Sequence, residues 1–164
     1  MNLELKDYPE RIGNVAYQTI DEAVRLVEEA KMGERVLFSS LSCEALRYII
    51  RKYGDRYPIE SIYPSFVMVG DFDEDIYEHS LYAGVINVKV REDSSRDWLE
   101  AQRKPLLPPE KMAALRSYGM RPCISQSPWD TEDVVKRCLE EGVEMFIGNY
   151  PSNTKRIFEQ LKLR

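Results

Sequence analysis

Leu115-Arg116-Ser117-Tyr118-Gly119-Met120-Arg121-Pro122-Cys123-Ile124-Ser125-Gln126-Ser127 carries the end of a helix, the glycine that stops it and, from Cys123, the strand that follows. That helix opens upstream at Pro108-Pro109, where prolines suit a first turn. The same order recurs at Gly142, between a helix capped by Thr131 and the strand Met145–Asn149. It recurs again at Gly33, between the helix Thr19–Ala30 and the strand Val36–Ser40. In Thr19–Ala30 the side chains of Ile20, Ala23, Val24 and Val27 share one face, and Thr19 with Glu22 has capping-box spacing. A further helix over Cys43–Tyr53 turns Leu46, Ile49 and Ile50 inward and stops at Gly54. Strands are also expected at Met1–Lys6, Ile62–Val69 and Val85–Val90, and Ser152 is placed to cap a last helix.

Strands alternating with helices of this size predict right-handed βαβ units and a parallel sheet. Six strand–helix pairs use the whole chain of 164 residues as one domain, with no linker between them. An open doubly wound sheet and a (β/α)₈ barrel both take such a pattern. No glycine-rich phosphate loop follows the first strand, where Lys6-Asp7-Tyr8-Pro9 stands, so a nucleotide-binding sheet loses its best support. A complete barrel needs at least ~200 residues. Six units are therefore either a whole open sheet or three-quarters of a barrel.

Composition narrows the function. With 43% hydrophobic and 31% charged residues the chain is globular rather than disordered. A net charge of −5 argues against nucleic acid, which needs a basic face. No apolar run reaches the ~18 residues of a membrane span. Cys43, Cys123 and Cys138 are odd in number and far apart, matching neither a disulfide framework nor a zinc site. They read as buried thiols of a reducing, cytoplasmic compartment. The single histidine, His79, excludes catalysis by a histidine pair within one copy and reads as structural or exposed.

Charged and polar residues at strand ends are the candidates for chemistry. Glu4 and Lys6 share one face at the carboxyl end of the first strand, where α/β proteins place ligands. A carboxylate there can hold a divalent cation and an ammonium a phosphate oxygen; a solvated terminal strand would show the same residues. Asn87 and Lys89 repeat the spacing on a later strand, against the alternative of an edge blunted by lysine. The run Asp71, Asp73, Glu74, Asp75 lacks the glycine and the last glutamate of a calcium loop, and reads as a solvated entry to a helix. Cys43 begins a helix but has no histidine near it in sequence. Trp98 and Trp129 are loop aromatics.

Taken together, several segments resemble the glycerophosphodiester phosphodiesterases. Leu115–Pro122, Glu132-Asp133-Val134 and Glu141-Gly142-Val143-Glu144-Met145-Phe146-Ile147-Gly148-Asn149-Tyr150-Pro151 follow that family's closing portion. Arg35-Val36-Leu37-Phe38-Ser39-Ser40 is similar to its fourth strand and Leu3-Glu4-Leu5-Lys6 to its third. Where the family has a strand tryptophan, this chain has Ser125, with Trp129 four residues later. The resemblance implies an α/β fold, a partial TIM-type barrel starting at the third strand. It implies Glu4 as a metal ligand, Lys6 as a catalytic residue, and Asn87, Lys89 and Asn149 around a small phosphodiester or phosphate ligand. The family uses a divalent metal (Mg or Ca) held by three carboxylates, with two histidines as acid and base; the histidine motifs belong to units that this sequence does not contain. Two strand edges would then stand unpaired and Leu37, Ile86 and Ile147 would meet water. A homo-oligomer, or a chain supplying the missing strands, is the expected state.

Overall fold

The computed structural model describes residues 1–64, 72–89, 109–126, 131–148 and 150–161. Six strands, β1 (Asn2–Leu5), β2 (Leu37–Ser40), β3 (Ile59–Pro64), β4 (Val85–Lys89), β5 (Arg121–Gln126) and β6 (Met145–Gly148), lie side by side in chain order. Every neighbouring pair is parallel. Helices α1 (Pro9–Ile12) and α2 (Asn14–Glu29) follow β1, and α3 (Cys43–Tyr53) follows β2. After them α4 (Phe72–Ser80), α5 (Pro109–Ser117), α6 (Glu132–Glu140) and α7 (Pro151–Gln160) each follow one strand. The strand order never reverses, so there is no switch point and the doubly wound alternative falls.

Side-chain alternation splits the sheet into two faces. Leu5, Phe38, Ile59 and Ile86 face the helices and share one core with Ile20, Val24, Val27, Leu46, Ile49, Ile76 and Leu115. On the opposite face Leu37 of β2 packs in one cluster with Val85 of β4 and Cys123 of β5, and Met145 and Ile147 of β6 lie against it. A flat sheet would keep β2 at least ~10 Å from β4. The sheet must therefore curl, and the fold is a partial TIM-type barrel. Ile86 was expected to meet water, but it faces the helices and is fully buried; Leu37 is buried by the curl, and Ile147 is half-buried.

Local signals explain most boundaries. Ser42 caps α3 by accepting from the Ala45 amide at 3.0 Å, and Gly54 ends it with φ 69°. Thr131 caps α6 through the Val134 amide at 3.4 Å. Four expectations shift. Thr19 lies inside α2 and donates to the Val15 carbonyl at 3.1 Å, because the helix already begins at Asn14 after Gly13. The left-handed residue after α2 is Lys31, φ 55°, while Gly33 opens a short 3₁₀ turn. Ser152 sits within α7, which starts on Pro151 with no side-chain cap. β3 begins at Ile59, three residues before its expected start, and Pro64 is its last residue. Residues 65–69 of the expected strand lie outside the described residues.

Helix α3 is tied to α2 around Asp21. Tyr53 donates to its carboxylate at 2.6 Å, Tyr48 at 3.0 Å, and the Lys52 ammonium stands 2.6 Å away. Burial works against the charge on Asp21, but these three donors outweigh it and hold the carboxyl below its ordinary range. No helix among the described residues is long and apolar enough to cross a membrane.

Candidate functional site at the rim of the half-barrel

Six parallel strands in register bring all their carboxyl ends to one rim. At the end of β1 the Lys6 ammonium lies 3.3 Å from the Glu4 carboxylate, with the lysine side chain 73% exposed. Such an open pair is worth only about 0–1 kcal/mol, so an incoming ion separates it at little cost. Lys89 ends β4, level with Pro64 of β3. Asn149 lies outside the described residues, as do Trp98 and Trp129.

Asn87 is not on open surface. It is buried on the inward side of β4, within a polar band that the sequence reading missed. The centre of that band is Glu60 on β3, which is 0% exposed. One of its oxygens, Oε2, accepts from the Asn2 side-chain amide, and Asn2 Oδ1 accepts from the Ser39 hydroxyl at 2.6 Å. The other oxygen, Oε1, is buried without a hydrogen-bond partner among the described residues. Burial pushes the Glu60 carboxyl above its ordinary range; Asn87, Asn2 and Cys123 offset part of that penalty, and the charge of Glu4 adds to it. Burial also raises the Cys123 thiol, with the Glu60 charge beside it. Ile59-Glu60-Ser61-Ile62 gave little signal for Glu60, because two polar residues in succession break the alternation and a charged residue in a strand reads as exposed.

His79 lies on the other side of the sheet. Its Nδ1 is 2.6 Å from the Ser61 hydroxyl and 2.8 Å from the Tyr82 hydroxyl, between β3 and α4. Burial lowers its pKa and favours the neutral ring. Cys123 and Cys138 are buried and Cys43 is half-buried. Glu74 and Asp75 lie early in α4, where the helix dipole favours acids.

The described residues do not fit a divalent metal as they stand. No three histidine, cysteine, aspartate or glutamate side chains among them come together to ligate one. Glu4 is paired with an ammonium instead.

No family model and no curated protein matches this sequence. Solved structures do. A protein from Silicibacter pomeroyi described as a glycerophosphoryl diester phosphodiesterase is similar with a TM-score of 0.68 at 17% identity, over 99% of this chain and 51% of its own. A glycerophosphodiester phosphodiesterase from Parabacteroides distasonis gives 0.63 at 15% identity, over 98% of this chain and 57% of its own. A phosphodiesterase from Oleispira antarctica, solved with its product sn-glycerol-3-phosphate, gives 0.60 at 12% identity, over 86% and 49%. The chain thus spans about half the length of these proteins, and its fold is that of about half of a glycerophosphodiester phosphodiesterase.

Proposed function

We propose that this chain is part of a phosphodiesterase-type barrel that takes a small phosphate ester at the rim held by Glu4 and Lys6, and that it does not hydrolyse the ester alone. The observation that carries the second half is the position of His79. Hydrolysis of a phosphodiester forms a bond from water oxygen to phosphorus and breaks the bond to the leaving alcohol. A base must take the water proton and an acid must protonate the departing oxygen, each step worth roughly 10²–10⁴-fold. His79, the chain's one histidine, is locked between β3 and α4, on the opposite face of the sheet from Glu4. A divalent cation, which would polarise the phosphoryl oxygens, needs ligands beyond Glu4. Strands from a second copy, or from another chain, would supply both. The solved neighbours support the ligand class, since one holds sn-glycerol-3-phosphate.

A second reading, a non-catalytic module that binds phosphate ligands and oligomerises, rests on the same geometry. Turnover and binding separate the cases. With added magnesium or calcium, the chain is expected to give no hydrolysis of a glycerophosphodiester above the buffer rate. It is expected to bind sn-glycerol-3-phosphate weakly in calorimetry, with affinity falling as salt rises and lost in Lys6→Ala. Metal-dependent turnover that disappears in Glu4→Gln would make the chain itself the enzyme. No binding at millimolar ligand would remove the phosphate-ester reading.

A further inference from the structure

Strand β1 is four residues long and ends the sheet, with ladder bonds to β2 alone among the described strands. Short end strands fray readily, and their register is weakly set when one edge is free. β1 nevertheless carries Glu4, the carboxylate of the rim.

A second fastening reaches it from β3. Glu60 accepts the Asn2 amide bond from one strand further in, so the contact passes across β2 on the inward face. Ser39 of β2 donates to the same Asn2 side chain at 2.6 Å. Ser39 is 1% exposed and Glu60 0%, and Asn2 between them is half-buried, so these bonds are partly shielded from water. The arrangement is costly. Among the described residues Glu60 leaves Oε1 buried without a hydrogen-bond partner, and no cation pairs with it.

We propose that Glu60 is a positioning residue for the rim: through Asn2 it fixes the inward face and the register of β1, and so fixes where Glu4 stands. The link follows from the period of two. Asn2 and Glu4 project to the same side, and a slip of one residue would turn both toward the helices. With Asn2 held from two strands at once, that slip breaks two part-buried hydrogen bonds. The importance of the strap for function rests on the phosphate-ester reading above; the strap itself does not.

Hydrogen exchange on the full 164-residue chain tests it, comparing Glu60→Leu, Glu60→Gln and Ser39→Ala. In Glu60→Leu the β1 amides that face β2 should exchange about tenfold faster, while β4 and β5 amides keep their rates. Glu60→Gln should stay within about twofold of the unaltered chain, because the amide carbonyl accepts the same bond from Asn2. Ser39→Ala should also speed β1, and it decides the matter if Glu60→Leu does not fold. Unchanged β1 exchange in Ser39→Ala and Glu60→Leu would overturn the proposal. So would equal loosening of all strands, or Glu60→Gln behaving like Glu60→Leu. Binding of sn-glycerol-3-phosphate is measured on the same samples. If the unaltered chain binds none, the functional reading fails while the exchange rates still decide the strap.

Discussion

Replacing Glu60 by glutamine should make this protein more stable at neutral pH. The carboxyl is fully buried, one oxygen has no partner among the described residues, and its charged form is penalised by burial with the Glu4 charge adding to it. Leaving one buried polar group unsatisfied costs about 1–3 kcal/mol, and more if it is charged. Glutamine keeps the acceptor for Asn2 and sets a neutral amide nitrogen, also without a partner, where Oε1 stands, so what it relieves is the cost of the charge. A gain of about 1–3 kcal/mol is therefore expected near pH 7–8. Unfolding entropy near 2.1 cal/mol/K per residue converts this into a rise in Tm of roughly 3 to 9 °C for a chain of this length.

The pH dependence separates this from a generic packing effect. The folded-state pKa of Glu60 is raised above the ordinary 4.5. The stability its protonated form contributes is fully present below that ordinary value and is lost as pH rises through the raised one. Glutamine does not titrate. The advantage of Glu60→Gln should thus be near zero at the acid end and grow with pH to a plateau. Urea titrations of both proteins between pH 4.5 and 8 measure it. A destabilised Glu60→Gln at pH 8, or a gain of equal size at every pH, would refute the reasoning.

Three other outcomes follow. Asp21→Ala should cost about 1–2 kcal/mol after discounting for partial exposure, seen in the urea midpoint; because the Asp21 pKa is lowered, its contribution is present above the ordinary 3.8 and is lost as pH falls through the lowered value. Gly142→Ala should cost about 1–3 kcal/mol in thermal unfolding, since Gly142 has φ 92° and a Cβ there would land on the Arg116 guanidinium that donates to its carbonyl at 2.7 Å. Analytical ultracentrifugation should find the folded chain as a homo-oligomer or joined to a partner; a micromolar monomer melting in one sharp, concentration-independent transition would show that no other chain is needed.

Much of the fold was legible because its signals are local. Cys43–Tyr53 carries an apolar stripe, a serine before it and a glycine after it, and α3 has those same bounds. The errors arise where tertiary context overrides a local rule. Thr19 looks like a cap only if the helix begins there, yet the residues before it also pack, with Ala16 fully buried. Ile86 was given to solvent because the inward face of β4 was assigned without knowing its phase against β3. Glu60 defeated pattern reading altogether. A charged residue in a strand reads as exposed, and only the curl that brings Asn2, Asn87 and Cys123 around it shows that it is buried. Glu4 and Lys6 were legible by their period of two, which says which residues share a face but not what faces them.

What faces them depends on the outer edge of β1, which pairs with no other described strand. A strand added there would stand ~4.8 Å from β1, and its inward residues would come within about 5.5 Å of Asn2 and Glu4. Further into the barrel, the inward face is already filled by the apolar cluster of Leu37, Val85 and Cys123 and by the buried band around Glu60. Among the described residues the sheet ends at β1 and at β6, and new acids, bases or metal ligands that enter beside β1 would adjoin the Glu4–Lys6 pair. One of the two end strands is thus the strand that carries Glu4. On the proposed function, a strand added beside β1 would extend the sheet and complete the site together. An added strand that protected β1 from hydrogen exchange yet left sn-glycerol-3-phosphate affinity unchanged would break that link.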